Sequence, residues 1–518
     1  IYFVILSFDI PLEKIYNLIK LTKQKKNVLK TKKKHLTERR SLSDMKHILV
    51  LFTDQQRYDT ISAFGNPAIQ TPHLDALARE SVIFDHCITP SPVCVPARLS
   101  LLSGQYPART GCNNNNAQSA YQGEGFYSRI TAQGYDSCCV GKMHHLWDPY
   151  GSMGFTRRHT QEELAAPGDE YMEYVRSRHP SVFDYHGMRS EMYYIPQISQ
   201  LPPCDHPTQW VGDRSVEYIR QCDPQQPMFL FASFIHPHPP YCPPAPWQKL
   251  YREDPPAPVV PEDEDFVTFS DMIGSRCSLE RLMMSRQDIL RSKNFYYACV
   301  SFVDYQVGRI VAALKEKGMY DDTLILFSSD HGDMMGDYGA IGKRTMVDSS
   351  CHVPLMIRCP GQKPQRRQEA CSLVDVAPTL LSYAGAPYDP AEFDGVDLFA
   401  PHDHRKYVFS QHACGSSGVY MITDGVCKLI YRAENDRYYF FDHAPEQRNT
   451  YEQGNPRIPE MKERLDAYRR SDCNQAVESK TYEPVSKTHP HYPGRMDQTL
   501  LHDAEAAAIP GEYQIDLA

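Results

Sequence analysis

The sequence predicts an α/β protein: a large, mostly parallel sheet flanked by helices, followed by a smaller α+β domain with an antiparallel sheet. Three observations carry this expectation. Short, wholly apolar runs alternate with amphipathic helical patterns as far as about residue 385. Beyond that point the texture changes to closely spaced β-prone runs separated by turns. The chain has 518 residues, more than the roughly 100–200 that one domain usually needs.

In chain order, Ile48–Phe52, Ser137–Val140, Met228–Phe234, Thr323–Ser328 and Val353–Ile357 read as buried strands, because each is apolar without alternation. Between them Thr71–Glu80, Asp213–Gln221 and Phe302–Lys315 have the spacing of amphipathic helices. Residues 236–261 hold ten prolines and read as a stiff loop. Residues 262–295 are charged and read as an insertion with some helix. In the smaller domain, Tyr407–Ser410, Gly418–Thr423, Cys427–Tyr431 and Tyr438–Phe441 are the expected strands, with a helix near Arg457–Arg470. Residues 471–518 are polar and read as a wrapping tail. The expected division is 1–44 as a basic extension, 45–385 as the larger domain and 386–518 as the smaller domain and tail.

Composition excludes several classes of protein. The hydrophobic fraction is 41% and the charged fraction 23%, ordinary values for a globular chain and too apolar for a disordered one. No run of about 18 apolar residues is present, so no membrane helix is expected. A net charge of −9 argues against a general nucleic-acid binder. Residues 1–44 carry a net +7, which leaves −16 on residues 45–518. That basic stretch reads as translated upstream sequence, with Met45 as the natural start. Its apolar opening is followed by lysines rather than by a cleavage site, which makes it a poor signal peptide. The sixteen cysteines are irregularly spaced with no CxxC. They read as reduced thiols of a cytoplasmic protein, most of them buried and inert.

The polar residues at the strand ends are the functional signal. Ligands of open α/β sheets bind at the carboxyl ends of the strands. There, Ile48–Phe52 runs into Asp54 and Gln55, and Thr323–Ser328 into Asp330 and His331. Ser137–Val140 runs into Lys142 and His144, and Met228–Phe234 into His236 and His238. Any one of these has a bland explanation, such as a helix cap; four strands delivering such groups to one edge do not. Two carboxylates with an amide oxygen suit a hard divalent cation. With Lys142, His144, His238 and Lys343 around it, such a cation makes a site for a multiply charged anion.

Cys94 completes the set. Pro90, Pro92 and Pro96 lead into an apolar helical run that ends at Gly104. Cys94 is thereby placed at a helix amino terminus, where free N–H groups attract anions and lower a thiol pKa. Arg98, four residues on, returns to the same face.

These residues resemble the type I, formylglycine-dependent sulfatase family of the alkaline phosphatase-like superfamily. Cys94-x-Pro96-x-Arg98 followed by Leu102-Ser103-Gly104 is similar to its signature, with Ala97 where Ser is usual. Gly141-Lys142-Met143-His144, His236-Pro237-His238-Pro239, Asp330-His331-Gly332-Asp333 with Gly342-Lys343, and Leu373–Thr379 resemble further segments of that family. The resemblance covers roughly residues 45–450 and is specific for the superfamily, much less so for substrate.

The resemblance implies an alkaline phosphatase-like fold and hydrolysis of a sulfuric ester, an aryl sulfate or a sulfated carbohydrate. It implies that a separate maturation enzyme oxidises Cys94 to formylglycine, whose hydrate attacks sulfur. Asp54, Gln55, Asp330 and His331 would hold one divalent cation, Ca²⁺ by first choice, with Mn²⁺ or Mg²⁺ as alternatives. Arg98 would orient the hydrate, Lys142 and Lys343 would neutralise sulfate oxygens, and His144 would be the base for sulfate release. His238 or Lys343 would protonate the leaving oxygen, with His236 ranked behind. Substrate and maturation enzyme are the expected partners, with neither nucleic acid nor membrane.

Gln55 and His331 depart from the Asp and Asn of many relatives; the pairing resembles that of phosphonate monoester hydrolases and phosphodiesterases of the superfamily, which supply the alternative reading, and it also occurs in true sulfatases. An unmodified binding protein is a third reading, and a zinc phosphatase a fourth, against which Cys94 argues. The 33 tyrosines and Asn113–Asn116 offer stacking and hydrogen-bonding groups for a sugar, though core packing and a turn explain them equally well.

Overall fold

The computed structural model describes residues 47–115, 119, 121, 123–144, 148–163, 166–189, 193–262, 284–400 and 405–474. The basic extension and most of the expected tail lie outside these residues, as does most of the expected 262–295 insertion.

The strands of the main sheet are β1 (His47–Asp54), β2 (Val82–Phe84), β4 (Asp136–Gly141), β5 (Arg157–Thr160), β6 (Met228–Pro237), β7 (Thr323–Ser329), β8 (Leu355–Arg358) and β9 (Gln365–Arg367). Their order is β5-β4-β6-β1-β7-β8-β2-β9. From β5 to β7 all pairs are parallel, whereas β8 runs antiparallel to both β7 and β2. β3 (Cys87–Ile88) and β10 (Cys371–Ser372) form a separate short pair. β1 is central and buried along its whole length. Its apolar run follows from having helices on both faces.

We label the described helices of six or more residues α1 (Pro72–Ala78), α2 (Cys94–Ser103), α3 (Phe126–Thr131), α4 (Glu170–Arg178), α5 (Pro207–Gln221), α6 (Arg286–Glu316), α7 (Val376–Ala384) and α8 (Ile458–Ser471). Leu49 and Leu51 of β1 share a core with Leu74 of α1, Val211 of α5 and Val303 of α6. The alternate residue Phe52 instead meets Phe231 and the Arg98 guanidinium of α2. Successive side chains of a strand point to opposite faces, so the sheet is covered on both sides.

The smaller sheet is an antiparallel meander, β11 (Val408–His412), β12 (Val419–Thr423), β13 (Lys428–Arg432) and β14 (Arg437–Phe441). Tyr420, Ile422 and Leu429 pack against Ile458, Met461 and Leu465 of α8. The opposite face, with Val419, Met421 and Ile430, packs against Met334, Met335, Met346 and Val347. Those residues flank Lys343, so this sheet buttresses the loop that follows β7.

Three elements differ from expectation. α6 starts at Arg286, sixteen residues before the expected Phe302. Lysine and arginine blur its apolar stripe, and a capping box of Ser285 and Asp288 supplies the start signal. α5 begins at Pro207 rather than Asp213, with the His206 imidazole capping the Thr208 N–H. β8 begins after Pro354, which cannot donate to a ladder.

Among the described residues, no helix is long and apolar enough to cross a membrane. Every described cysteine is a free thiol.

Candidate active site

β1 and β7 are adjacent and in register, Thr53 opposite Ser329. Asp54 and Asp330 therefore emerge side by side from the carboxyl edge, both fully buried. Arg98 joins them: its Nε donates to Asp330 Oδ2 at 2.8 Å and its Nη2 to Asp54 Oδ2 at 3.0 Å. Its Nη1 donates to the Lys142 carbonyl and Ser233 Oγ, so the guanidinium is locked on three sides.

Cys94 is the first residue of α2, as the sequence indicates, and its side chain lies over the two carboxylates. Sγ is 3.0 Å from Lys343 Nζ, 3.2 Å from His331 Nε2 and 3.8 Å from Asp54 Oδ1. Burial and Asp54 act to raise the thiol pKa, but Lys343, Lys142 and His331 outweigh them and bring it down to about 6. Burial likewise opposes ionisation of Asp54, yet Lys142, His238, Arg98 and Lys343 hold its carboxyl well below the usual range. His331 is disfavoured as a cation by burial, but Asp330 beside it raises its pKa.

Lys142 follows β4 and is fully buried between two carboxylates, Asp54 Oδ2 at 2.7 Å and Glu163 Oε2 at 2.6 Å. Glu163 also faces His238, with Oε1 at 3.6 Å from Nε2, and accepts from Arg189 at 2.5 Å. His238 Nδ1 donates to the Pro239 carbonyl at 2.7 Å. That bond places the titrating lone pair on Nε2. His144 has its backbone N–H on Glu162, 3.1 Å away. Its Nδ1 is buried with no hydrogen-bond partner among the described residues. Burial and Lys142 push the His144 pKa down to about 4, so the imidazole is neutral near pH 7.

The structure thus brings together Asp54, Gln55, Cys94, Arg98, Lys142, His238, Asp330, His331 and Lys343, with His144 on the segment after Lys142. His236 lies apart: its Nδ1 meets Thr208 Oγ1 at 3.1 Å, and its ring packs on His206. Sequence reasoning missed Glu163 and gave Asp333 no role. Glu163 is separated by 21 positions from Lys142 and by 75 from His238, so no local spacing reveals it. Asp333 stands in a quoted motif, but its contacts are long-range.

The donor set fits a cation. Ligand atoms of Asp54, Cys94, Asp330 and His331 all lie within 4.8 Å of one another, and all four residues are buried. Two carboxylates with the Gln55 amide oxygen nearby suit a hard divalent ion. A second cluster of His206, His236 and Cys242 has similar spacing. There, however, His206 is occupied at both nitrogens, accepting from the Thr208 N–H and donating to the Cys242 carbonyl.

A buried thiol at a helix start, ringed by carboxylates, ammonium groups and an imidazole at the carboxyl edge of an α/β sheet, is the kind of cluster an enzyme uses for chemistry. Comparison with known proteins makes this specific. A family described as Sulfatase matches residues 46–386, and one described as N-sulphoglucosamine sulphohydrolase, C-terminal, matches residues 336–467. The chain belongs to the sulfatase family, and it is a sulfuric ester hydrolase. It is 28% identical to an arylsulfatase of Clostridium perfringens over 82% of this chain and 93% of that protein. It is 30% identical to a choline-sulfatase of Rhizobium meliloti over 82% of this chain and 85% of that protein. Among solved structures it resembles the phosphonate monoester hydrolase of Agrobacterium radiobacter, with a TM-score of 0.71, 23% identity, and coverage of 82% of this chain and 96% of that one. It also resembles a protein solved with its substrate D-glucosamine-2-N,6-O-disulfate, with a TM-score of 0.66, 18% identity, and coverage of 84% and 99%. At these identities the two structures speak for the fold alone.

Proposed function

We propose that this sulfatase acts on a sulfated carbohydrate through a formylglycine made from Cys94, with one divalent cation held by Asp54, Gln55, Asp330 and His331. The observation that carries the reading is the placement of Cys94 Sγ within 3.2 Å of both Lys343 and His331. A buried thiol with the Lys343 ammonium, the His331 imidazole and a carboxylate against it has no packing role that an apolar residue would not fill better. The formylglycine, hydrated, supplies the nucleophile for sulfur, and the cation supplies charge stabilisation; Ca²⁺ is the first choice, with Mn²⁺ and Mg²⁺ as alternatives.

The chain's own residues do the rest. Arg98 fixes the two carboxylates and so the height of residue 94 above them. Lys343 stands where its positive charge would neutralise an oxygen bonded to that residue or to sulfur. His238 carries a proton at Nε2 for the leaving alcohol. The neutral His144 imidazole accepts the proton whose removal frees the sulfate. The carbohydrate preference is supported by the N-sulphoglucosamine sulphohydrolase C-terminal family matched at residues 336–467 and by a 27%-identical ulvan-active sulfatase of Formosa agariphila. A maturation enzyme for Cys94 is the required partner.

Mass spectrometry of the Cys94 peptide, from protein produced with a formylglycine-generating enzyme, tests the nucleophile. The expected result is conversion of the thiol to the aldehyde, with hydrolysis of 4-nitrophenyl sulfate that EDTA abolishes. A full thiol in active enzyme overturns it. Gln55 and His331 favour a second reading, phosphonate monoester or phosphodiester hydrolysis. A diester rate far above the sulfate rate, on matched nitrophenyl substrates, would select that reading.

A further inference from the structure

Asp333 lies one layer behind the site and is fully buried. Its Oδ2 accepts from Gln55 Nε2 at 2.5 Å and from the Tyr241 hydroxyl at 2.6 Å. Its Oδ1 accepts from the Gly342 N–H at 2.9 Å and the Met335 N–H at 3.0 Å. A carboxylate has about four lone-pair sites, and here donors fill them all. Asp333 is thereby an acceptor only, and the group it meets on Gln55 must be the NH₂. On the other side of the same amide, Lys343 Nζ donates to Gln55 Oε1 at 3.0 Å. An ammonium has no lone pair to offer, so the oxygen must face it. The two neighbours assign the same orientation independently, in an amide whose ends differ by one proton-bearing atom.

The backbone of Gln55 is pinned as well. Its φ is 65°, in the left-handed region that non-glycine residues rarely adopt. It is held there by its N–H on Asp330 Oδ1 at 3.0 Å and its carbonyl under the Tyr296 hydroxyl at 2.7 Å. Only rotation of the amide remains free.

We propose that Asp333 is a positioning residue that sets the amide of Gln55, so that Oε1 rather than Nε2 faces Lys343 and the cation site. With the amide turned over, an NH₂ would point at a divalent ion and at an ammonium, replacing an attraction by two repulsions. This inference rests on the cation reading given above. It predicts that the two residues are coupled by the direction of one hydrogen bond.

Full-length protein carrying Asp333→Asn tests it. Asn offers an NH₂ to Gln55, which can now bond through Oε1 and present Nε2 to the site. A second variant, Asp333→Asn with Gln55→Glu, restores an oxygen to both ends: Asn donates to one carboxylate oxygen and leaves the other for the ion. Ca²⁺, Mn²⁺ and Mg²⁺ are each titrated alone by calorimetry, and the rise in melting temperature is followed in parallel. The expected result is at least a tenfold loss of affinity in D333N and recovery to within about threefold of wild type in the double variant. Gln55→Glu alone is the control for the added charge: with Asp333 intact two carboxylates face each other, so it should bind the ions more weakly than the double variant, whereas a structural role alone would leave the double variant the weaker of the two. D333N binding as tightly as wild type, or a folded double variant with no recovery, overturns the assignment of Asp333. Wild-type protein that responds to none of the three ions overturns the cation site itself and the assignment with it.

Discussion

Glu163 Oε2 lies 2.6 Å from Lys142 Nζ, and the other oxygen of the same carboxylate faces His238 Nε2 at 3.6 Å. One buried carboxylate thus serves both Lys142 and the proposed proton donor. Burial opposes its ionisation, but His238, Lys142, Arg189 and His144 keep its pKa well below the usual carboxylate range.

Glu163→Gln is therefore expected to move the pH profile as well as the rate. Burial lowers the His238 pKa, and Glu163 works to raise it. Without that negative charge the pKa falls further, and the fraction of His238 carrying its proton at neutral pH drops. The alkaline limb of kcat should shift to lower pH, with a loss of about tenfold or more at pH 7. Stopped-assay profiles from pH 5 to 9 measure this; an unmoved alkaline limb assigns the leaving-group proton to Lys343 instead.

Arg98→Ala should cost stability, with activity lost as a consequence. It leaves Asp54 and Asp330 buried side by side without the guanidinium that bonds both. Removing one member of a buried charge cluster costs about 3–5 kcal/mol. Arg98→Lys retains the charge and loses the fork, so an intermediate value is expected. Urea midpoints at constant m value give both numbers, and a cost below about 1 kcal/mol for Arg98→Ala would contradict this account.

The buried imidazoles predict acid sensitivity. Burial lowers the His236 pKa to about 4, and burial with His236 and Arg189 lowers that of His186 to about 3. The unfolded chain takes up these protons near pH 6.5, whereas the folded chain refuses them until much lower pH. Stability is thus complete above about pH 6.5 and falls as pH drops toward 4, on the order of 3 kcal/mol for His236 alone. His186→Gln keeps a donor for the Glu162 carbonyl and removes one titrating group. Its stability should fall less steeply than wild type across that window in pH-dependent urea melts.

Gly141→Ala should disable the site through the backbone. At φ +95° its added Cβ would lie 2.0 Å from the Ser233 carbonyl oxygen, which also accepts the Lys142 N–H at 3.1 Å. The variant is expected to lose at least roughly 1–2 kcal/mol from strain and to displace Lys142. A melting temperature and sulfate hydrolysis both equal to wild type would count against this.

Much of the fold is legible in the residues themselves. Ile48–Phe52 and Met228–Phe234 are apolar because both their faces are covered, and such runs declare themselves. Cys94 at a helix start was readable from the prolines before it and Gly104 after it. The four strands of the smaller sheet fall within about two residues of expectation, since turns punctuate them. What was not legible depends on tertiary placement. β3 and β10 have two residues each, too few for any period. Asp333 and Glu163 look like ordinary acidic residues until Gln55 and His238, distant in sequence, are brought against them. His236 and His238 differ by two positions, and the family resemblance ranks His236 behind. The fold separates them physically, one against Thr208 and the other against Glu163.

The burial of Cys94 has a consequence in time. Its side chain is covered by α2, by Lys343 and by the groups beneath it, and only 1% of the residue is exposed. The loop bearing Lys343 is in turn buttressed by the smaller sheet, whose last strand ends at Phe441. The maturation enzyme proposed for residue 94 would have access only while the chain is still open. At roughly 5–20 residues per second, the ribosome leaves an interval on the order of tens of seconds between residue 94 and the end of that sheet. On the proposed chemistry, conversion of a given molecule would then be decided by a race during its synthesis, and slowing translation after residue 94 should enrich the converted form.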